Sequence, residues 1–132
     1  MIKRVINVNG YWKIIVYYNV NYNLFDYIVE DLKAISSPVE KIDRVYYNMT
    51  HFAKAVTISS FKDKTSVVLF NIHKNKYDYI NSIVHEAEHV KQDMLDYYAV
   101  EDVGEPPAYT VGYLVMKMLE LNMMKKLKYK KY

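Results

Sequence analysis

No cysteine occurs in the 132-residue sequence, which removes disulfides, thiolate-bound zinc and a cysteine nucleophile together. Any metal must then be held by histidine and carboxylate. No apolar run is long enough to span a bilayer: the most apolar window, Ala108 to Met124, is broken by Lys117, Glu120 and Asn122. Met1-Ile2-Lys3-Arg4 leads into an alternating run, so no secretory signal is visible, and a cytoplasmic protein without membrane contact is expected. Arginine occurs only twice, whereas Lys, Asn, Ile and Tyr together supply 52 residues. These four have A/T-rich codons, which points to an AT-rich bacterial or phage genome.

What is present fits a folded domain. Apolar residues make up 52% and charged residues 25%, a composition that excludes disorder. The length predicts one domain over residues 1–124, followed by a basic tail, 125–132. Lys125, Lys126, Lys128, Lys130 and Lys131 sit in that tail, and setting these five aside leaves thirteen basic against fifteen acidic residues in the body. The positive balance therefore belongs to the tail. A short lysine-rich end of this kind is expected to be solvated, and it is the single feature that would suit nucleic acid.

The pattern predicts an α+β fold, a small antiparallel sheet of hairpins packed with about four helices. Ile2 to Val8 and Tyr11 to Tyr18 flank Asn9-Gly10, the dipeptide best suited to a type I′ turn. Leu24, Ile28, Leu32 and Ile35 then recur at helical spacing up to Ser36-Ser37-Pro38. A second helix is predicted from Val39 to about Ala53, capped by Ser37, with Val39, Ile42, Val45 and Met49 on one side. Val56 to Phe61 and Ser66 to Ile72, separated by Lys62-Asp63-Lys64-Thr65, read as a second hairpin. A long helix follows from Asn75–Tyr77 to near Ala99. The last helix is predicted to open at Pro106-Pro107, where a missing N–H is harmless, and to run to about Lys126.

The long helix carries His85-Glu86-Ala87-Glu88-His89, an H-E-x-x-H pentad. Residues four apart share a helical face, so the two imidazoles can converge on one metal ion. Glu86, one step round, can reach a water on that metal. At about 100° per residue, Ile80, Ile83, Ala87, Val90 and Met94 fall on one broad side. Asp78, Ser82, His85, His89, Gln92 and Asp96 form a narrow strip nearly opposite. A zinc site needs at least a third protein ligand, and Glu105, at the mouth of the next helix, is the choice. Glu101 and Asp102 are the alternatives, either as ligand or as acceptor of a histidine's outer N–H. Glu105, Tyr109 and Gly112 share one helical side, and Gly112 would let the two helices approach closely. His51 and His73 read as ordinary surface or helix-end histidines.

The pentad with a downstream glutamate resembles the gluzincin branch of the zincin-like metallopeptidases in its minimal single-domain form, over about Val67 to Tyr113. The resemblance implies Zn2+ on His85, His89 and Glu105, Glu86 as general base and then acid, and a peptide or protein substrate. It also implies a sheet strand that holds extended substrate by strand addition, here Ser66 to Ile72. Tyr109 is either a donor to the developing oxyanion or a packed aromatic among fifteen tyrosines. The expected activity is zinc-dependent peptidase or amide hydrolase. The rival expectation is a non-catalytic structural or assembly protein on a zincin-like fold, for example a phage virion component whose tyrosines and strand edges meet other chains.

Overall fold

The computed structural model describes residues 1–120 and 124–130. They form an α+β fold of four α-helices and a four-stranded mixed sheet. The chain divides into two compact units, Met1–Ile72 and His73–Tyr132.

The first unit opens with the expected hairpin, β1 (Ile2–Val8) and β2 (Trp12–Tyr18). Asn9 and Gly10 both take positive φ, 51° and 78°, as a type I′ turn requires. The turn is closed by the Tyr11 N–H donating to the Val8 carbonyl at 2.9 Å. A 3-10 turn, Tyr22–Leu24, leads into α1 (Phe25–Ala34). Ile28 and Leu32 are fully buried, and Phe25 rather than the exposed Leu24 completes the inward stripe. Ser36, at φ 62°, ends the element. In α2 (Val39–His51) the capping position belongs to extended Pro38 and no side chain caps it, so the expected Ser37 cap does not form. Ile42, Val45 and Met49 point inward as predicted, while Val39 is exposed at the first turn.

The second hairpin is β3 (Ala55–Ser60) with β4 (Thr65–Phe70), antiparallel. The two hairpins join in the order β1-β2-β4-β3, and β2 runs parallel to β4. The sheet is therefore mixed, with antiparallel hairpins on either side of one parallel seam. This arrangement corrects the expected role of Ser66 to Ile72. Strand β4 pairs with β2 on one side and β3 on the other, so it has no edge to offer an added strand; the open edges are β1 and β3. All six β4 residues are buried, and Val67 to Phe70 read in the sequence as a continuous apolar run for that reason.

One face of the sheet presents Ile15, Tyr17, Ile58, Val67 and Leu69 to the inward residues of α1 and α2, and this cluster is the core of the first unit. Its rim is tied by polar bonds. The Tyr17 hydroxyl donates to Asp31 Oδ2 at 2.5 Å, and Lys3 Nζ meets the same oxygen at 2.9 Å. Burial, reinforced by the hydrogen bond and charge of Asp31, raises the Tyr17 pKa. Asn71 donates to the carbonyls of Met49 and Ala53, at 2.8 and 2.9 Å, and fixes the end of α2.

The second unit holds α3 (Lys76–Tyr97) and α4 (Glu105–Met118). Asn75 caps α3, its side chain accepting from the Asp78 N–H at 3.0 Å. Helix α4 begins at Glu105 behind Gly104, whose φ of 79° glycine tolerates. It ends at Met118, short of the predicted Lys126; positions 121–123 lie outside the described residues. Among the described residues no helix is long and apolar enough to cross a membrane.

The lysine-rich segment is not a loose tail over its described length. Leu127 is buried, Tyr129 pairs with His73 in a parallel bridge, and the Lys130 N–H donates to the His73 carbonyl at 2.7 Å. Lys131 lies outside the described residues. His73 also departs from its expected surface role: it is buried and its Nε2 lies 2.7 Å from the hydroxyl of Ser82. Ser82 is itself buried, although helical projection assigns it to the polar strip.

Candidate metal centre

The pentad lies in the middle of α3, so its backbone is fixed by helical hydrogen bonds on both sides. Tyr79, Ile83, Ala87, Val90 and Met94 are buried along the helix. Glu86 stands three residues after Ile83 and four before Val90, and it is therefore carried inward with them, only 4% exposed. His85 and His89 face outward, and both are exposed.

The two imidazoles converge. Their Nε2 atoms are 3.1 Å apart and their ring planes stand at 82°. Two nitrogens this close cannot each direct a proton at the other; they share one proton or one cation. Nitrogens bound to zinc at about 2.0–2.1 Å in tetrahedral geometry stand roughly 3.3 Å apart, so the pair is nearly set for a small cation. Glu86 Oε2 lies 3.9 Å from His85 Nε2. Ligand atoms of His85, Glu86 and His89 all fall within 4.8 Å of one another, and the three form a group that could hold a metal ion. The donor set of two imidazoles and one carboxylate suits first-row divalent ions better than calcium or magnesium, which favour oxygen.

Glu105 is not in this group. It is the first residue of α4 and is exposed. Glu105, Tyr109 and Gly112 do share one side of α4, as their spacing implies, but that side meets solvent while Pro107, Leu114 and Met118 turn inward. Tyr109 is 74% exposed, so it is not a packed aromatic. Gly112 does not serve close helix approach either, because a Cβ built there meets nothing within 4 Å. Replacing it with alanine is expected to stabilise the protein by up to about 1 kcal/mol through helix propensity. Urea denaturation checks this, and a loss of stability would restore the packing role.

Of the two other carboxylates considered, Glu101 is exposed and outside the group. Asp102 is engaged elsewhere: its Oδ1 and Oδ2 accept from Lys91 Nζ at 3.0 and 3.1 Å. The same ammonium donates to Glu88 Oε1 at 2.5 Å. Lys91 thus fastens the segment between α3 and α4 to the helix that carries the histidines. Its pKa is raised, first by the Glu88 hydrogen bond and then by Asp102, against the opposing effect of burial. The sequence holds the signal for this clamp, since Lys91 stands four residues after Ala87 and three before Met94, a charged residue on the apolar stripe. Comparison with known proteins leaves the assignment to the geometry alone: no family model, no curated protein and no solved structure matches the chain.

Proposed function

We propose that the protein is a zinc-dependent peptidase or amide hydrolase of the zincin-like, gluzincin type. The observation that carries the reading is the 3.1 Å approach of His85 Nε2 and His89 Nε2 with the buried Glu86 carboxylate beside them. His85 and His89 would hold the ion through Nε2. Glu105, which stands outside the group at the start of α4, would have to move to the pair to supply the third ligand that the resemblance implies; Asp102 is the weaker choice because Lys91 already holds it. Zinc bound there supplies a Lewis acid that polarises an amide carbonyl and lowers the pKa of water to about 7. Glu86 takes the proton from the attacking water and returns it to the leaving amine. Tyr109, exposed on the Glu105 side of α4, donates to the developing oxyanion.

Elemental analysis of protein purified without affinity metals tests the reading. About one zinc per chain is expected in the wild type and almost none in His89→Ala, with peptide cleavage lost on chelation and restored by zinc. A wild-type protein without stoichiometric metal overturns it. A second reading, a non-catalytic assembly subunit, is favoured by the exposed rings of Phe52, Tyr77 and Tyr109 and by the open edges of β1 and β3. It expects metal binding without hydrolysis, and self-association or capture by partner chains through those rings.

A further inference from the structure

The bridge between His73 and Tyr129 joins two stretches that are far apart in sequence. Residues 74–77 and 124–130 contain six lysines, Lys74, Lys76, Lys125, Lys126, Lys128 and Lys130, and no carboxylate. All six are exposed. The tail is held in place beside Lys74 by the 2.7 Å bond from the Lys130 N–H to the His73 carbonyl, by burial of Leu127, and by the edge contact of Tyr129 with the buried ring of Tyr79 at 6.0 Å. What the sequence offers as a loose run of charge is therefore one end of a larger fixed basic surface.

Aromatic rings are interleaved with this charge. Tyr77 is 71% exposed, with the Lys76 ammonium 5.2 Å from its ring centroid, and Tyr129 is partly exposed between Lys128 and Lys130. Cations spaced along a surface follow a phosphate backbone, and exposed tyrosine faces accept bases of any sequence by stacking. Duplex would hide its base faces, and an acidic peptide would make no use of the rings. We infer that this surface of the second unit binds single-stranded nucleic acid without strong sequence preference, with Lys74, Lys76, Lys128 and Lys130 on phosphates and Tyr77 under a base. The inference does not depend on the metal centre.

The test is fluorescence anisotropy with a labelled mixed-sequence single-stranded DNA of about twenty nucleotides, with chelator present so that the metal centre plays no part. With about four phosphates neutralised, affinity falls about fiftyfold between roughly 50 and 200 mM salt. The exposed double variant Lys74→Glu/Lys76→Glu is expected to weaken binding at least about tenfold at the lower salt. Tyr77→Ala is expected to weaken it about tenfold while leaving heparin binding unchanged. Both variants must keep the wild-type circular dichroism and thermal midpoint, as their exposure implies. No binding at the lower salt overturns the inference. So does wild-type affinity in the Lys74/Lys76 variant, which would leave only tail charge. Polyglutamate or anionic vesicles held as tightly as the oligonucleotide, with Tyr77→Ala indifferent, would assign the surface to another polyanion and equally overturn it.

Discussion

Glu86→Gln should retain zinc and fold normally yet lose peptide hydrolysis by a factor of about 10² to 10⁴, the range for removing a positioned acid-base group. The substitution keeps the shape of a side chain that is almost fully buried, and it deletes only the site at which a proton is taken up. Glu86 is the carboxylate that the helix brings to the imidazole pair, 3.9 Å from His85 Nε2, and no other carboxylate among the described residues joins the group. Metal content, far-UV circular dichroism and turnover of a quenched peptide separate the outcomes. Metal kept with turnover lost is the expected pattern. Unchanged turnover would remove the base from the scheme, and absence of turnover in the wild type itself would favour the assembly reading. Loss of metal on this change would instead make Glu86 a ligand.

The parts of the fold legible in the sequence are those decided locally. Asn9-Gly10 specifies its turn through two positive φ values, and the alternating and β-branched residues on either side have only one economical partner, each other. The parallel seam of β2 with β4 was not legible, because it is a long-range pairing that no turn residue records. Its consequence, that β4 is an interior strand, reverses the strand-addition role that the family resemblance implied for Ser66 to Ile72.

At the metal centre the same division holds. His85 and His89 are brought together by one turn of one helix, so their spacing alone sufficed. The position of Glu105 depends on the path of residues 98–104, which takes positive φ at Ala99 and Gly104 and is held at Asp102 by Lys91 of α3; that path does not follow from periodicity. The bond of His73 to Ser82 and the anchoring of the basic segment at Tyr129 were hidden for the same reason. On α3 the structure departs from helical projection at Ser82, which is buried, whereas Glu86 and Lys91 are buried polar groups where projection puts them, beside the apolar stripe. Ser82 bonds to His73 and Lys91 to Glu88, which makes their burial tolerable.

The Lys91 clamp should show an asymmetry that distinguishes a buried cation from a surface ion pair. Its side chain is 7% exposed, whereas those of Glu88 and Asp102 are 51% and 33% exposed. Lys91→Met places an apolar chain of similar length in the buried path and leaves two carboxylates that water can still reach, so its cost is expected to be about 1 kcal/mol. The double change Glu88→Gln/Asp102→Asn leaves the ammonium buried without a counter-charge and should cost about 2–3 kcal/mol, less than for a deep pair because both partners were already partly hydrated. Equal costs in urea denaturation would reduce the clamp to ordinary surface pairing. Alkaline pH acts on the same group. Because the folded Lys91 pKa is raised above its ordinary 10.5, its contribution is fully present below that value and is lost as pH rises through the folded pKa. Tyr17, also raised from an ordinary 10.0, adds a loss of the same sign. Unfolding free energy should therefore fall from about pH 10 upward, and Lys91→Met should flatten part of that slope. A variant with the wild-type slope would show that Lys91 carries no linked proton.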